Sequence, residues 1–466
     1  MNKRYFAGAG LVMLLSITFL SSCGIRTKYK EPELPQNVFR EGTTGDTTTI
    51  ASIPWRTYFS DMYLQSLIDE GLNNSFDMQI AYQRIKQTEV ALDVAKVAYF
   101  PDLTLVGSAD QKRHSVGRES GQFLPKHSES YMLGVSTSWE LDIWGKYYKQ
   151  KRGAVAQYMQ SVAYRNLIQT SLIANIATSY YTLVALDEQL KVAKDMAGIM
   201  QETVETMTDM RDAGLLNSAA VEQTKSAYYS TLISIPDMEA QIRNLENTIC
   251  LLVGREPSSI LRSTINNQVV NENTSHGIPS QMLARRPDVK MAEWQFRAAF
   301  EAVGVAQASF YPSVSISGTL GYSTSNTVSN FFKPENLIAN IVGNLAQPIF
   351  ARNALRGQLK LAKAQQEEAL LSFKQTVISA GNEVSDALYS FEAAQKKVEL
   401  RQKQIDATEK SVEFTKELLK AGLANYTEVL TAEGNLLQAR LGEVSDKLAQ
   451  LQANVTLYRT LGGGLE

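Results

Sequence analysis

Residues 131–142 read YMLGVSTSWELD, and their alternation decides the fold class. Tyr131, Leu133, Val135, Thr137, Trp139 and Leu141 fall on one side of an extended chain. Met132, Gly134, Ser136, Ser138, Glu140 and Asp142 fall on the other. Such alternation predicts a strand with two unlike faces. Residues 313–323, SVSISGTLGYS, repeat the pattern, with Val314, Ile316, Leu320 and Tyr322 against a row of Ser, Thr and Gly. Residues 102–112 and 336–347 alternate less cleanly, with Leu103 and Leu105, then Leu337, Ala339 and Ile341, on the apolar side. A membrane β-barrel asks for strands of roughly 9–11 residues that are apolar toward lipid and polar toward the lumen. Tyr131 and Trp139 suit its aromatic girdles. A soluble sheet packed on a core shows the same alternation, and four strands taken alone favour it.

The flanking helices shift the balance. Residues 145–213 contain no Pro, and apolar residues recur at Val155, Tyr158, Val162, Leu172, Ile176, Leu183, Leu186, Leu190, Ala193, Met200, Val204 and Met207. Later, Leu370, Val377, Val384, Phe391, Val398, Ile405, Val412 and Leu419 fall every seventh residue. A sustained seven-residue repeat predicts coiled-coil packing with a left-handed supercoil. At 1.5 Å per residue, a helix over 145–213 spans about 100 Å. A compact domain has no use for that length, whereas a duct reaching across a periplasm does.

The chain reads as a duplication. Pro101 and Gly107 match Pro312 and Gly318; Ala213-Gly214-Leu215 matches Ala421-Gly422-Leu423; Leu252-Val253-Gly254 matches Thr460-Leu461-Gly462. The order of landmarks is kept and the offset barely drifts, so each half is one structural unit. The halves are 55–254, with strands at about 102–112 and 130–142, and 285–466, with strands at 313–323 and 336–347. Each reads helix, two strands, very long helix, turn, helix. Residues 255–284 form a polar, irregular linker; 113–129 and 324–334 join the strand pairs on the outside. The expected fold is mainly α with a membrane β-barrel.

One chain cannot close that barrel. It offers four strands, and bacterial barrels start at about eight. Open edges in lipid leave backbone groups unpaired at several kcal/mol each. Membrane strands therefore imply an oligomer that shares one barrel.

The N-terminus points to export. Asn2, Lys3 and Arg4 precede an almost wholly apolar run from Tyr5 to Leu20, followed by Ser21-Ser22-Cys23. A basic start, a short apolar core and small residues describe a secretory signal, and the core is shorter than the roughly 20 residues that span a bilayer. The cysteine after two serines resembles the bacterial lipobox. Residues 1–22 are then the signal peptide and Cys23 carries the lipid, with two kinds of acyl attachment ample for stable anchoring. Residues 23–54, with Pro32, Pro35 and a Thr-rich run, read as an extended tether.

Composition excludes other classes. The 466 residues carry a net charge of −2 and 20% charged residues, which gives no basic patch for nucleic acid. Cys250, inside the apolar run 249–253, reads as a buried structural thiol. The only histidines, His114, His127 and His276, lack metal-ligand spacing, and no Gly-rich phosphate loop follows a strand. No enzyme activity and no cofactor are expected.

The sequence resembles the TolC-type outer-membrane efflux family, and within it the lipoprotein branch of OprM-like, NodT-type factors. The likeness rests on residues 140–146 (ELDIWGK), 284–288 (ARRPD), 311–318 (YPSVSISG), 347–350 (QPIF) and 421–430 (AGLANYTEVL). It implies a homotrimer whose four strands per chain build a twelve-stranded barrel in the outer membrane, over a twelve-helix periplasmic barrel. It also implies a periplasmic adaptor and an inner-membrane pump, often of the resistance-nodulation-division class. The function implied is a passive exit duct for drugs or other small molecules. Type I-like protein secretion and a periplasmic adaptor lipoprotein are the alternatives.

The same resemblance assigns sites. Gly214 and Gly422 each end a long helix, where Gly is favoured just past the C-terminus. With Leu215 and Leu423 they mark hairpin tips where an adaptor docks. Acidic side chains past the second tip ring the family's periplasmic gate; Glu428 matches the first such position and Thr431 stands at the next. Ala220 occupies the place of Glu428 in the first repeat, leaving one carboxylate per chain. Residues 284–288 read as a helix start, with Pro287 in the first turn.

Overall fold

The computed structural model describes residues 29–32, 49–113, 118–119, 122–123, 127–271, 285–325 and 328–465. Cys23, His114 and His276 lie outside them. The chain divides into two compact units, one of residues 1–32, 86–160 and 292–372, the other of 33–85, 161–291 and 373–466.

The first unit holds the sheet. Strands β1 (Asp102–Arg113), β4 (His127–Leu141), β5 (Ser313–Thr324) and β6 (Leu337–Ala346) pair antiparallel in the order β1-β4-β5-β6. Two short strands, β2 (Arg118–Glu119) and β3 (Gln122–Phe123), pair within the connection expected as plain loop. Register turns the alternation of each strand into two continuous faces. Leu105 faces Val135, Val135 faces Leu320, and Leu320 faces Ala339; Leu103, Thr137, Gly318 and Ile341 form the next row. On the other face stand Thr104, Ser136, Thr319 and Asn340. Leu103 is 77% exposed and Ile341 83%, so no element among the described residues covers the apolar face. At the centre of the polar face Gly134 lies opposite Gly321. A Cβ on Gly321 would come within 2.4 Å of both Gly134 Cα and Leu133 O. Only a pair of glycines lets the two halves of the sheet meet this closely.

The passage from sheet to helix is built locally. Asp142 accepts from the backbone N–H groups of Tyr147 and Tyr148 at 2.9 and 2.8 Å, capping α4 (Lys146–Asp212), and Gly145 takes φ +76°. An acidic cap satisfies the free donors of a first helical turn. Trp144 stacks on Tyr311 at 4.9 Å and donates to Pro312 O at 2.6 Å. Glu301, on α6 (Pro287–Ala308), is wholly buried between Lys149 at 3.0 Å and Arg152 at 2.7 Å. A charge taken out of water needs such partners, because its desolvation otherwise costs several kcal/mol.

The stretch expected as an extended tether is held where it is described. Tyr29 packs 5.8 Å from Phe296 and 5.5 Å from Phe300, with the Arg297 guanidinium 5.0 Å over its ring. Burial, then the charge of Glu293, pushes its phenol up to about 12 against the pull of Arg297. In the second unit Ile50 is fully buried in a short 3-10 turn. Both residues are apolar or aromatic islands in a polar stretch, which a composition reading averages away.

The second unit is helical. It contains α1 (Trp55–Tyr58), α2 (Met62–Asn74), α5 (Ser218–Val253), α8 (Tyr426–Thr460) and the greater parts of α4 and of α7 (Ala354–Lys420); α3 (Phe76–Val97) runs through both units. Helices α4 and α7 each run 67 residues, a contour of about 100 Å. On α7 six of the eight residues of the seventh-residue row, Val377, Val384, Phe391, Ile405, Val412 and Leu419, are buried, and Leu370 and Val398 are half-buried. A second row of Phe373, Ala380, Ala387 and Ala394 is buried beside it. Together they space 4, 3, 4, 3, the seam of a coiled coil with alanines that let neighbouring helices approach.

Residues near Asp61 tie the linker down. The Asp61 carboxylate accepts from Gln268 at 2.7 Å and Tyr180 at 2.8 Å, and from Ser263. Burial alone would raise its pKa; the bonds from Gln268, Ser263, Tyr180 and the Tyr63 N–H outweigh this and hold it below the usual carboxylate value. Arg262 forks onto Asp187 and onto Glu246. The segment 255–271 is irregular apart from one 3-10 turn, Ile265–Asn267.

Candidate hairpin-tip site and export surface

The two tips are built alike. After α4, Gly214 takes φ +77°, its N–H reaching Arg211 O at 2.9 Å, while the Leu215 N–H returns to Met210 O at 2.9 Å. After α7, Gly422 takes φ +72°, bonding Leu419 O at 3.0 Å, and Leu423 returns to Leu418 O at 2.9 Å. A left-handed residue after the helix followed by a backward bond is the usual way to satisfy its last carbonyls. Asn217 and Asn425 then cap the returning helices. Leu215 is 69% exposed and Leu423 77%, so each tip presents one large apolar side chain to solvent.

The hairpins are joined just behind the tips. Met207, Val221, Leu419 and Val429 form a buried cluster, with Met210, Leu216 and Tyr426 packed on it. The Tyr426 hydroxyl donates to Gln223 Oε1 at 2.8 Å. Glu428 sits in the first turn of α8, exposed. Thr431, one turn on, is exposed and donates to Thr427 O at 2.7 Å. The matched residue Ala220 is fully buried. Glu428 and Ala220 thus occupy matching sequence positions with opposite environments.

Sequence reasoning missed the strongest polar feature here. Glu433, fully buried on α8, accepts from Thr203 of α4 at 2.8 Å and pairs with Lys416 of α7 at 2.7 Å. One carboxylate therefore holds three helices, and its Oε2 has no hydrogen-bond partner. The signal was present: position 433 falls four residues after Val429 and three before Leu436, both buried. A carboxylate on that stripe interrupts the packed face.

The 284–288 motif is structural in its geometry. Arg286 is 4% exposed; it pairs with Asp288 at 2.6 Å and Glu383 at 2.8 Å and donates to Thr460 O at 2.9 Å. Cys250 is buried, with its sulfur 3.4 Å from Ser258 O. Among the described residues no helix is long and apolar enough to cross a membrane.

An uncovered apolar sheet face, a polar face behind it and helices of about 100 Å define a class of protein, the membrane-inserted export duct. Its family follows from comparison. Residues 67–255 and 278–463 match the family described as outer membrane efflux protein, and the chain belongs to that family. The probable outer membrane lipoprotein SilC of Salmonella typhimurium is 25% identical over 462 residues, covering 97% of this chain and 98% of SilC. The pyoverdine export outer membrane protein OpmQ of Pseudomonas aeruginosa is 28% identical over 416 residues, covering 88% and 87%. The solved outer-membrane channel OprN superposes with a TM-score of 0.87 at 25% identity, over 95% of this chain and all of that one. The chain is an outer-membrane efflux channel protein.

The Glu433 arrangement makes a prediction. Lys416→Met should destabilise the helical unit by about 2 kcal/mol, below the 3–5 of a fully buried pair because Lys416 is partly wet. Thermal unfolding in detergent reads this, and Lys416→Met with Glu433→Leu should recover most of the loss. Equal stability of Lys416→Met and parent would show that the pair ties nothing.

Proposed function

We propose that three copies of this chain close one barrel across the outer membrane and one helical tunnel in the periplasm, forming a passive exit duct for small molecules. The observation that carries this reading is the sheet order. β1 and β6 are edge strands, their apolar faces are uncovered, and lipid tolerates no open edge. Three four-stranded sheets give a barrel within the even-numbered range of outer-membrane proteins. The chain supplies passage rather than energy or chemistry, so it acts beside an inner-membrane pump, of the resistance-nodulation-division class, and a periplasmic adaptor. The exposed Leu215 and Leu423 at the tips suit an adaptor's apolar contacts. Cys23 carries the lipid; the name of SilC as a lipoprotein supports this.

The polar sheet face bears mostly hydroxyl and amide groups, including Thr104, Ser136, Thr319 and Asn340. Such a wall suits small solutes of varied charge, and the similarity to a pyoverdine exporter leans the same way. Deleting the gene should raise susceptibility to antibiotics, dyes or metal salts several-fold and leave the secreted-protein profile intact. Unchanged susceptibility with missing secreted proteins would assign the duct to protein export.

Glu428 is the gate residue in this reading. Three carboxylates around a narrow axis repel one another and favour a bound cation, an effect that grows as the ring narrows. In planar bilayers, divalent cations should block the parent's conductance and block Glu428→Ala far less. Equal block of the two would remove Glu428 from the mouth.

A further inference from the structure

The segment that leaves the last strand carries an unusual surface. Residues 347–366 read QPIFARNALRGQLKLAKAQQ: four cations, no acid. Ile349 is 97% exposed and Phe350 85%. Arg352, Arg356, Lys360 and Lys363 are all exposed. Arg356, Lys360 and Lys363, spaced four and three residues, lie on one side of the first turns of α7, and Arg352 stands just before the helix at φ +48°. Among the described residues none of the four makes an ion pair, whereas Lys146, Lys149 and Arg152 after β4 are paired with Glu140 or Glu301.

Among the described residues nothing rewards this stripe. Like charges four residues apart repel, and cations in the first turns of a helix oppose its dipole. A large exposed apolar pair beside uncompensated charge marks an interaction surface. Its partner must offer hydrocarbon and negative charge side by side. The place in the fold agrees: Ile341 and Leu345, on the uncovered apolar face of β6, are 83% and 74% exposed, and Ile349 follows three residues after the strand ends. The stripe also turns away from the hollow that Gln150, Gln157, Gln358 and Gln365 line with Ala362. Helical phase sets it on the flank of α7 opposite those glutamines, which argues against a cargo-binding role.

We propose that Ile349, Phe350 and the Arg352–Arg356–Lys360–Lys363 stripe bind anionic phospholipid of the periplasmic leaflet of the outer membrane. Ile349 and Phe350 enter the acyl border. Arg352 and Arg356 contact headgroup phosphate directly, for the headgroup layer is only about 5–8 Å deep on each side. Lys360 and Lys363, about 6 and 10 Å farther along α7 than Arg356, act through their field, within a Debye length of about 8 Å at physiological salt. Each cation near an anionic surface is worth up to about fivefold in binding. The site fixes the height of the duct in its membrane at the only edge of the sheet that runs into α7.

The test uses the purified full-length protein in nanodiscs of equal phosphatidylglycerol and phosphatidylcholine. Lipid that stays bound through detergent extraction is counted by mass spectrometry. The parent should retain phosphatidylglycerol over phosphatidylcholine several-fold, and less so at high salt. Arg352→Gln with Arg356→Gln should remove most of that preference; Lys360→Gln with Lys363→Gln should remove a smaller part. Should the arginine pair fail to assemble, Arg356→Gln alone carries the reading, with a partial loss expected. An undiminished preference in the arginine variants would overturn the proposal. So would its abolition by millimolar inorganic phosphate, which would make the stripe a site for free anions.

Discussion

A backbone group in hydrocarbon has no water to pair with, and the rest of the structure depends on that constraint. Among the described residues, β1 and β6 each present an unpaired edge, in a sheet whose outer face carries Leu103, Leu105, Ile341 and Leu345 uncovered. In water such a sheet would aggregate through its edges. In lipid, leaving the edges open would cost more than the apolar face gains. In the proposed assembly, pairing of β6 in one copy with β1 in another satisfies both the face and the edges. The Gly134–Gly321 contact belongs to the same demand, since it lets the middle strands approach on the polar, inward side.

The helical part meets an opposite requirement: it must be long, wet and stiff. Length comes from two 67-residue helices, and stiffness from seams of one bulky and one small row. Charge is admitted to the interior only where it locks helices together. Glu301 does this with Lys149 and Arg152 in one unit, and Glu433 with Lys416 and Thr203 in the other. Each carboxylate restricts how its helices slide, because breaking the pair strands a buried charge.

Much of this was legible in the sequence. The period-two rows gave the strands nearly to the residue, and β4 begins only three residues before its expected start. Gly214 and Gly422 announced both tips because left-handed backbone selects glycine. Other features were invisible for physical reasons. The alanine row of α7 carries little hydropathy contrast, so only the bulky row stood out. Glu433 and its two partners sit on three helices, and no local pattern joins positions 203, 416 and 433. The β2–β3 pair is two residues on each side, too short for any period. Tyr29 and Ile50 sit in a stretch whose average polarity conceals them.

The most direct test of the shared barrel joins its open edges across copies. Single cysteines would be placed along β1, at Thr104 or Val106, together with one on β6, at Asn340 or Val342, in a chain with Cys250 replaced by Ser. Mild oxidation of the protein in its membrane should give covalent dimers and trimers for the pairs in register. Monomers alone across every β1–β6 pair, from protein that is folded and inserted, would contradict the sharing of one barrel between copies.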